Sequence, residues 1–120
     1  MVNNMKSLLL SLLLTGSIVA GAVNADTAGT VHSREAQAAI TPAKALDMLI
    51  QGNQRFVSGN TRQRDLLAQV RQTAKGQYPF AAIVSCLDSR IPPAIVFDQG
   101  IGDLFVGRIA GNFVNDDMLG

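Results

Sequence analysis

The sequence has a single cysteine, Cys86, and a single histidine, His32, among 120 residues. A lone cysteine excludes a disulfide within the chain, so Cys86 is a buried bystander, an intermolecular partner, a reactive thiol or a metal ligand. His32 lies in a small, polar stretch, and we expect a spectator there rather than a ligand or base. The sequence also lacks Walker, HExxH and GxSxG motifs, which excludes the sites that these motifs build.

An excess of one charge is also missing. Removing residues 1–25 takes only Lys6 from the ten basic residues, which leaves nine basic residues against nine acidic ones. This balance gives no electrostatic case for binding nucleic acid or an anionic membrane. A cluster of arginines interleaved with Asp47 and Asp65 predicts a solvated helical face. The clustered residues are Arg55, Arg62, Arg64 and Arg71.

The first 25 residues have the order of parts of a secretory signal. Lys6 gives a positive start, residues 8–22 are largely apolar, and Val23 and Ala25 put small residues where a signal peptidase reads. We therefore expect cleavage after Ala25 and a periplasmic or secreted protein with no membrane contact after cleavage. The alternative is an uncleaved anchor, for which the apolar run is short.

The rest of the chain reads as α/β. Residues 26–40 are polar and small and predict a linker or loose arm, and residues 41–120 predict the ordered domain. Thr41 and Pro42 suit the start of a helix that ends at Gly59 or Asn60, and a second helix is expected over residues 62–75. Residues 80–85 then predict a strand buried on both faces, as in a parallel sheet.

A second buried strand is expected at residues 104–106, after a helical turn at residues 94–97. Strand, turn and strand form a βαβ-type unit, so Cys86 and Arg108 fall near the carboxyl ends of strands, where α/β sheets bind ligands. Asn115 caps a further helix that stops within a turn, and two strands bury little apolar area. We therefore expect an incomplete domain.

The segment Cys86-Leu87-Asp88-Ser89-Arg90 carries the candidate chemistry. A carboxylate and a guanidinium can form a two-pronged pair, and a cation or metal nearby would favour the thiolate of Cys86. The competing interpretation is a loop in which Asp88 and Ser89 make turn hydrogen bonds and Arg90 is solvated.

These residues resemble the first metal motif of the β-class carbonic anhydrases, which has the form Cys-x-Asp-Ser-Arg. The resemblance runs from about Ala45 to Gly120 and includes the helix around residues 52–56, Pro92-Pro93, residues 97–106, Arg108 and residues 110–112. Leu87 and Ile109 depart from the family pattern, but neither supplies a ligand or its carboxylate partner.

The resemblance implies a parallel-sheet core of β-carbonic anhydrase type with an N-terminal helical arm. It implies that Cys86 binds a catalytic Zn²⁺ and that Asp88 and Arg90 are the catalytic pair beside it. Asp88 would accept a hydrogen bond from the reacting hydroxide, or bind the zinc itself when freed from Arg90. Gln77 matches a glutamine that binds substrate in some members; otherwise it is a surface residue.

The implied activity is reversible hydration of carbon dioxide to bicarbonate by a homodimer or larger assembly. The family's other two zinc ligands come from a later His-x-x-Cys motif that this sequence does not contain, so we expect the 120 residues alone to be inactive. Two alternatives stay open: a hydrolase of another small cumulated molecule on the same fold, and a family member that has lost catalysis.

Overall fold

The computed structural model describes residues 30–120 of the chain. The predicted signal peptide and the start of the predicted arm lie outside these residues. None of the helices within residues 30–120 is long and apolar enough to cross a membrane. The elements in chain order are α1 (Arg34–Ala38), α2 (Pro42–Val57), α3 (Leu66–Thr73), β1 (Ala81–Ser85), α4 (Pro93–Val96), β2 (Leu104–Arg108), a 3₁₀ turn (Ala110–Asn112) and α5 (Asp116–Leu119).

The helix starts follow the capping residues. Thr41 Oγ1 accepts a hydrogen bond from the backbone N–H of Lys44 at 3.2 Å, which starts α2 where the sequence predicts it. Helix α3 begins later than expected, because Asp65 Oδ1 caps it by accepting from the N–H of Ala68 at 2.9 Å. The residues before Asp65 are drawn away from the helix, since the N–H of Arg62 donates to the Asp98 carboxylate at 3.3 Å.

The segment predicted as a polar arm contains a short helix, α1, which is held against the start of β1. The side chain of Gln37 donates to the carbonyl oxygen of Pro79 at 2.6 Å. The His32 ring meets the edge of Phe80, with ring centroids 5.6 Å apart, and its Nε2 lies 3.7 Å from Asp103 Oδ1. His32 therefore contacts residues at the beginning of the strands, whereas Cys86 follows the end of β1.

The two strands are parallel, as predicted. Ala81 pairs with Leu104 at one end and Ser85 with Arg108 at the other. The prediction that both faces are buried is wrong for these residues: Val84 is 41% exposed and Phe105 is 53% exposed. The cause is that α4 is a single turn, so little of the described chain covers the strands. No hydrophobic side chain within residues 30–120 is fully buried.

The polar interior of the described chain lies between α2 and the turn that follows α4. Asp98 is 3% exposed and sits between two guanidinium groups, with Arg55 Nε at 2.5 Å and Arg64 Nη1 at 2.5 Å. The prediction of a solvated arginine face is therefore wrong for Arg55 and Arg64, although Arg71 is exposed. Opposite charges close together in sequence suggested a network on the surface. The carboxylate that these arginines bind, Asp98, instead lies 34 residues from Arg64 and 43 residues from Arg55 in the chain.

Two further contacts fix the same turn on α2. The side chain of Asn53 donates to the carbonyl oxygen of Val96 at 3.1 Å. Gly52 packs so closely that a Cβ at this position would lie 1.8 Å from the carbonyl oxygen of Phe97. Only glycine allows this approach, so residues 52–55 form one docking surface for the segment that leads into β2.

Candidate metal centre

Cys86 lies directly after β1 and is half-buried. It opens onto a cavity of about 320 Å³ whose walls are mostly apolar. The lining residues include Ile83, Ser85, Ile91, Val96, Phe97 and Asn112. Cys86 thus lines a space large enough for a small molecule, at the carboxyl end of a parallel strand where such ligands bind.

Backbone amides favour the thiolate of Cys86. Hydrogen bonding from the N–H of Gly111 makes the largest contribution to a lowered pKa of the thiol, and the N–H groups of Asp88 and Leu87 add to it. Burial and the negative charge of Asp88 act in the opposite direction. The thiolate is the form of cysteine that binds metals. The sequence suggested a cation for this purpose, whereas the structure uses backbone dipoles.

Asp88 and Arg90 form the predicted two-pronged pair. Arg90 Nε donates to Asp88 Oδ1 at 3.0 Å and Nη2 donates to Oδ2 at 2.6 Å. The N–H of Arg90 donates to Oδ1 as well, at 3.0 Å. The Arg90 side chain lowers the pKa of Asp88 to about 2, so the carboxyl is ionised at neutral pH. Because Arg90 holds both oxygens, Asp88 would have to leave it to bind a metal directly.

Arg108 is a member of the site whose contacts the sequence did not reveal. Its Nε donates to the carbonyl oxygen of Cys86 at 3.1 Å, and its Nη2 donates to the carbonyl oxygen of Asp88. The sequence feature that pointed to Arg108 was its predicted position at the end of the second strand. The parallel register puts Arg108 opposite Ser85, one residue before the cysteine.

Gln77, the predicted substrate-binding residue, is exposed and precedes β1. The strand separates it from Cys86, because a strand advances about 3.3 Å per residue. Within one chain the structure does not bring Gln77 to the group formed by Cys86, Asp88 and Arg90.

The donor set of the site suits zinc in part. Zinc prefers thiolate, imidazole and carboxylate ligands, and a catalytic site takes three from the protein. Cys86 fits this chemistry, but residues 30–120 contain no group of three or more such side chains able to hold a metal. One observation points to a ligand beside the sulfur: among the described residues, Ser85 Oγ is the buried side-chain polar atom without a hydrogen-bond partner. It lies in the wall of the same cavity.

Comparison with known proteins agrees with this geometry. A family model described as carbonic anhydrase matches residues 81–120, which run from β1 to α5. Carbonic anhydrase 2 of Mycobacterium tuberculosis is 42% identical over 80 residues, which cover 66% of this chain and 39% of that protein. A carbonic anhydrase of Synechococcus elongatus is 43% identical over 67 residues, which cover 55% of this chain and 24% of that protein.

Beta carbonic anhydrase 1 of Caenorhabditis elegans is 37% identical over 57 residues, covering 48% of this chain and 21% of that protein. The chain thus spans about two fifths, 39%, of the mycobacterial relative's length. The α/β fold, with its parallel strand pair, agrees with these matches. These matches confirm the predicted resemblance of the chain to the β-class carbonic anhydrases.

Proposed function

We propose that the protein carrying this chain is a zinc-dependent lyase that converts carbon dioxide and water to bicarbonate and a proton. The observation that carries the proposal is the thiol of Cys86 at the end of β1, with a lowered pKa, next to a carboxylate held by Arg90. The activities named for the relatives support the same reaction.

Each described residue has a separate task in this reaction. Zinc bound at Cys86 would lower the pKa of water to about 7 and so supply hydroxide at neutral pH. Asp88, ionised and oriented by Arg90, accepts a hydrogen bond from the reacting oxygen and turns a lone pair toward the carbon atom. The apolar wall beside Cys86 suits carbon dioxide, which has no net charge. The proton released leaves to solvent.

The remaining ligands and the location complete the proposal. The family resemblance supplies a histidine and a second cysteine from a His-x-x-Cys motif, so residues 1–120 alone are inactive. The order of Lys6, the apolar residues 8–22 and Ala25 supports export to the periplasm or medium. Exposed leucines on α2 and α3 support a homodimer or larger assembly, in which these helices contact a second copy.

The test uses the full-length protein and two variants. Wild type should contain about one zinc per subunit and hydrate carbon dioxide in a stopped-flow assay, since a catalytic zinc is held by three protein ligands. Cys86→Ser should lose zinc and activity together. Asp88→Asn should keep its zinc but lose about 100-fold in kcat, because misorientation of a reacting group costs about this much.

Lys75→Ala, at an exposed position after α3, is the control and should behave as wild type. Full zinc content in Cys86→Ser would refute the ligand assignment. A zinc-loaded wild type that does not hydrate carbon dioxide would refute the reaction.

A further inference from the structure

Arg108 connects the second strand to the loop that follows the first. It is the last residue of β2 and pairs in register with Ser85, the last residue of β1. The N–H of Ile109 also donates to the carbonyl oxygen of Ser85 at 3.0 Å, so the ladder continues just past Arg108. The backbone of Arg108 is therefore fixed next to the point where the loop begins.

The Arg108 side chain continues this connection into the loop. One guanidinium group donates to two carbonyl oxygens, those of Cys86 and Asp88. Leu87, the residue between them, is 60% exposed, so most of its side chain does not pack against the described chain. The other hydrogen bond to the Asp88 carbonyl, from the N–H of Ile91, is long at 3.5 Å.

The same two residues are held at their side chains by other partners. Arg90 binds the Asp88 carboxylate, and the backbone N–H of Gly111 lowers the pKa of the Cys86 thiol. The side-chain partners set where the sulfur and the carboxylate point, and Arg108 sets the spacing of the backbone that carries them. A planar guanidinium can reach both carbonyls at once with a fixed separation between its donors.

We propose that Arg108 is a positioning residue of the metal site. It clamps the backbone at Cys86 and Asp88 so that the thiolate and the carboxylate keep one relative arrangement when metal and substrate bind. This role rests on the proposed zinc function and extends it to a residue that contacts the site through the backbone carbonyls of Cys86 and Asp88. Lysine keeps the charge but offers a single flexible donor group, so geometry and charge can be tested separately.

The experiment compares Arg108→Lys and Arg108→Ala with Lys75→Ala in the full-length protein. Both Arg108 variants should bind zinc about 10- to 100-fold more weakly, the loss typical of residues that support metal ligands. The cobalt-substituted Arg108→Lys protein should show an altered thiolate-to-cobalt charge-transfer band. Its kcat should fall more than its KM rises. Lys75→Ala should match wild type in all three measurements.

A second measurement needs no metal. Amide hydrogen exchange of residues 87–91 in the metal-free full-length protein should be faster in Arg108→Lys than in wild type, with exchange in β1 unchanged. If wild type binds no zinc, the proposed function fails while this exchange result still tests the clamp. The proposal would be overturned if Arg108→Lys had the same zinc affinity, cobalt spectrum and loop exchange as the wild type. A thermal unfolding measurement shows whether Arg108→Ala folds. If it does not fold, the results for Arg108→Lys decide the test.

Discussion

At the scale of single residues, the site depends on the backbone around Cys86 as much as on its side chains. Gly111 supplies the N–H that contributes most to the lowered pKa of the thiol. Its φ angle is +80°, in the left-handed region, and the adjacent Asn112 has φ of +57°. This pair of residues turns the chain after β2.

Replacing Gly111 tests this turn. A Cβ at position 111 would meet nothing within 4 Å, so the cost of Gly111→Ala comes from backbone strain alone. We expect a loss of about 1 to 2 kcal/mol in the free energy of unfolding, the cost of a left-handed L-residue. Gly111→Asn should lose less, because asparagine tolerates this region better. Denaturant unfolding of the full-length variants measures both, and equal losses would contradict the explanation.

The pairing of Asp88 with Arg90 was the part of the candidate site that the sequence could predict. Cys86, Asp88 and Arg90 are two positions apart, and the pairing of Asp88 with Arg90 is local in the chain. Arg108 and Gly111 could not be assigned their contacts, because these depend on the strand register rather than on neighbours in sequence. Gln77 shows the same limit, since its distance from Cys86 is set by the direction of β1.

At the scale of elements, α2 is joined to the turn after α4 mainly by polar contacts. Capping residues and helical spacing predicted where α2 starts. They could not predict that Arg55 and Arg64 converge on Asp98, because this contact joins elements that lie far apart in the chain. The buried Asp98 carboxylate is at the centre of these contacts, and its charge determines how strongly they hold the two elements together.

Asp98→Asn should destabilise the full-length protein at neutral pH. The substitution leaves two arginines facing a neutral group, and breaking a buried ion pair from one side costs about 3 kcal/mol. Burial acts to raise the pKa of Asp98, but hydrogen bonds from Arg55, Arg64 and the N–H of Arg62 outweigh it and hold the pKa below its ordinary value of 3.8. The ionised Asp98 carboxylate therefore stabilises the fold at pH values above 3.8.

This stabilisation is lost as the pH falls through the lowered pKa of the folded state. The difference in unfolding free energy between wild type and Asp98→Asn should therefore be largest near pH 7 and shrink below about pH 4. Denaturant unfolding across this range measures it. Asp47→Asn, at an exposed carboxylate on α2, is the control and should change stability little. A difference that grows on acidification would contradict the assignment.

At the scale of the whole molecule, the described chain exposes most of its large apolar side chains. Leu46 on α2 is 59% exposed and Leu67 on α3 is 70% exposed. Helical periodicity predicted both helices, but it could not show that their apolar faces lack cover within residues 30–120. Under the proposed assembly, these faces are covered by a second copy of the chain.

Leu67→Glu tests this account of the exposed face. A charge at the centre of an apolar contact is unpaired and desolvated, so the variant should shift toward monomer in light scattering coupled to size-exclusion chromatography. Gln63→Glu adds the same charge at an exposed position before α3 and should keep the wild-type mass. An unchanged mass for Leu67→Glu would remove α3 from the interface.

The most direct measurement of the central claim is zinc-edge X-ray absorption of the full-length protein. The account predicts sulfur neighbours at about 2.3 Å from the metal in wild type, the distance of a zinc–thiolate bond. Cys86→Ser, reloaded with zinc, should show one sulfur neighbour fewer. An identical sulfur shell in wild type and Cys86→Ser would show that this cysteine does not bind the metal.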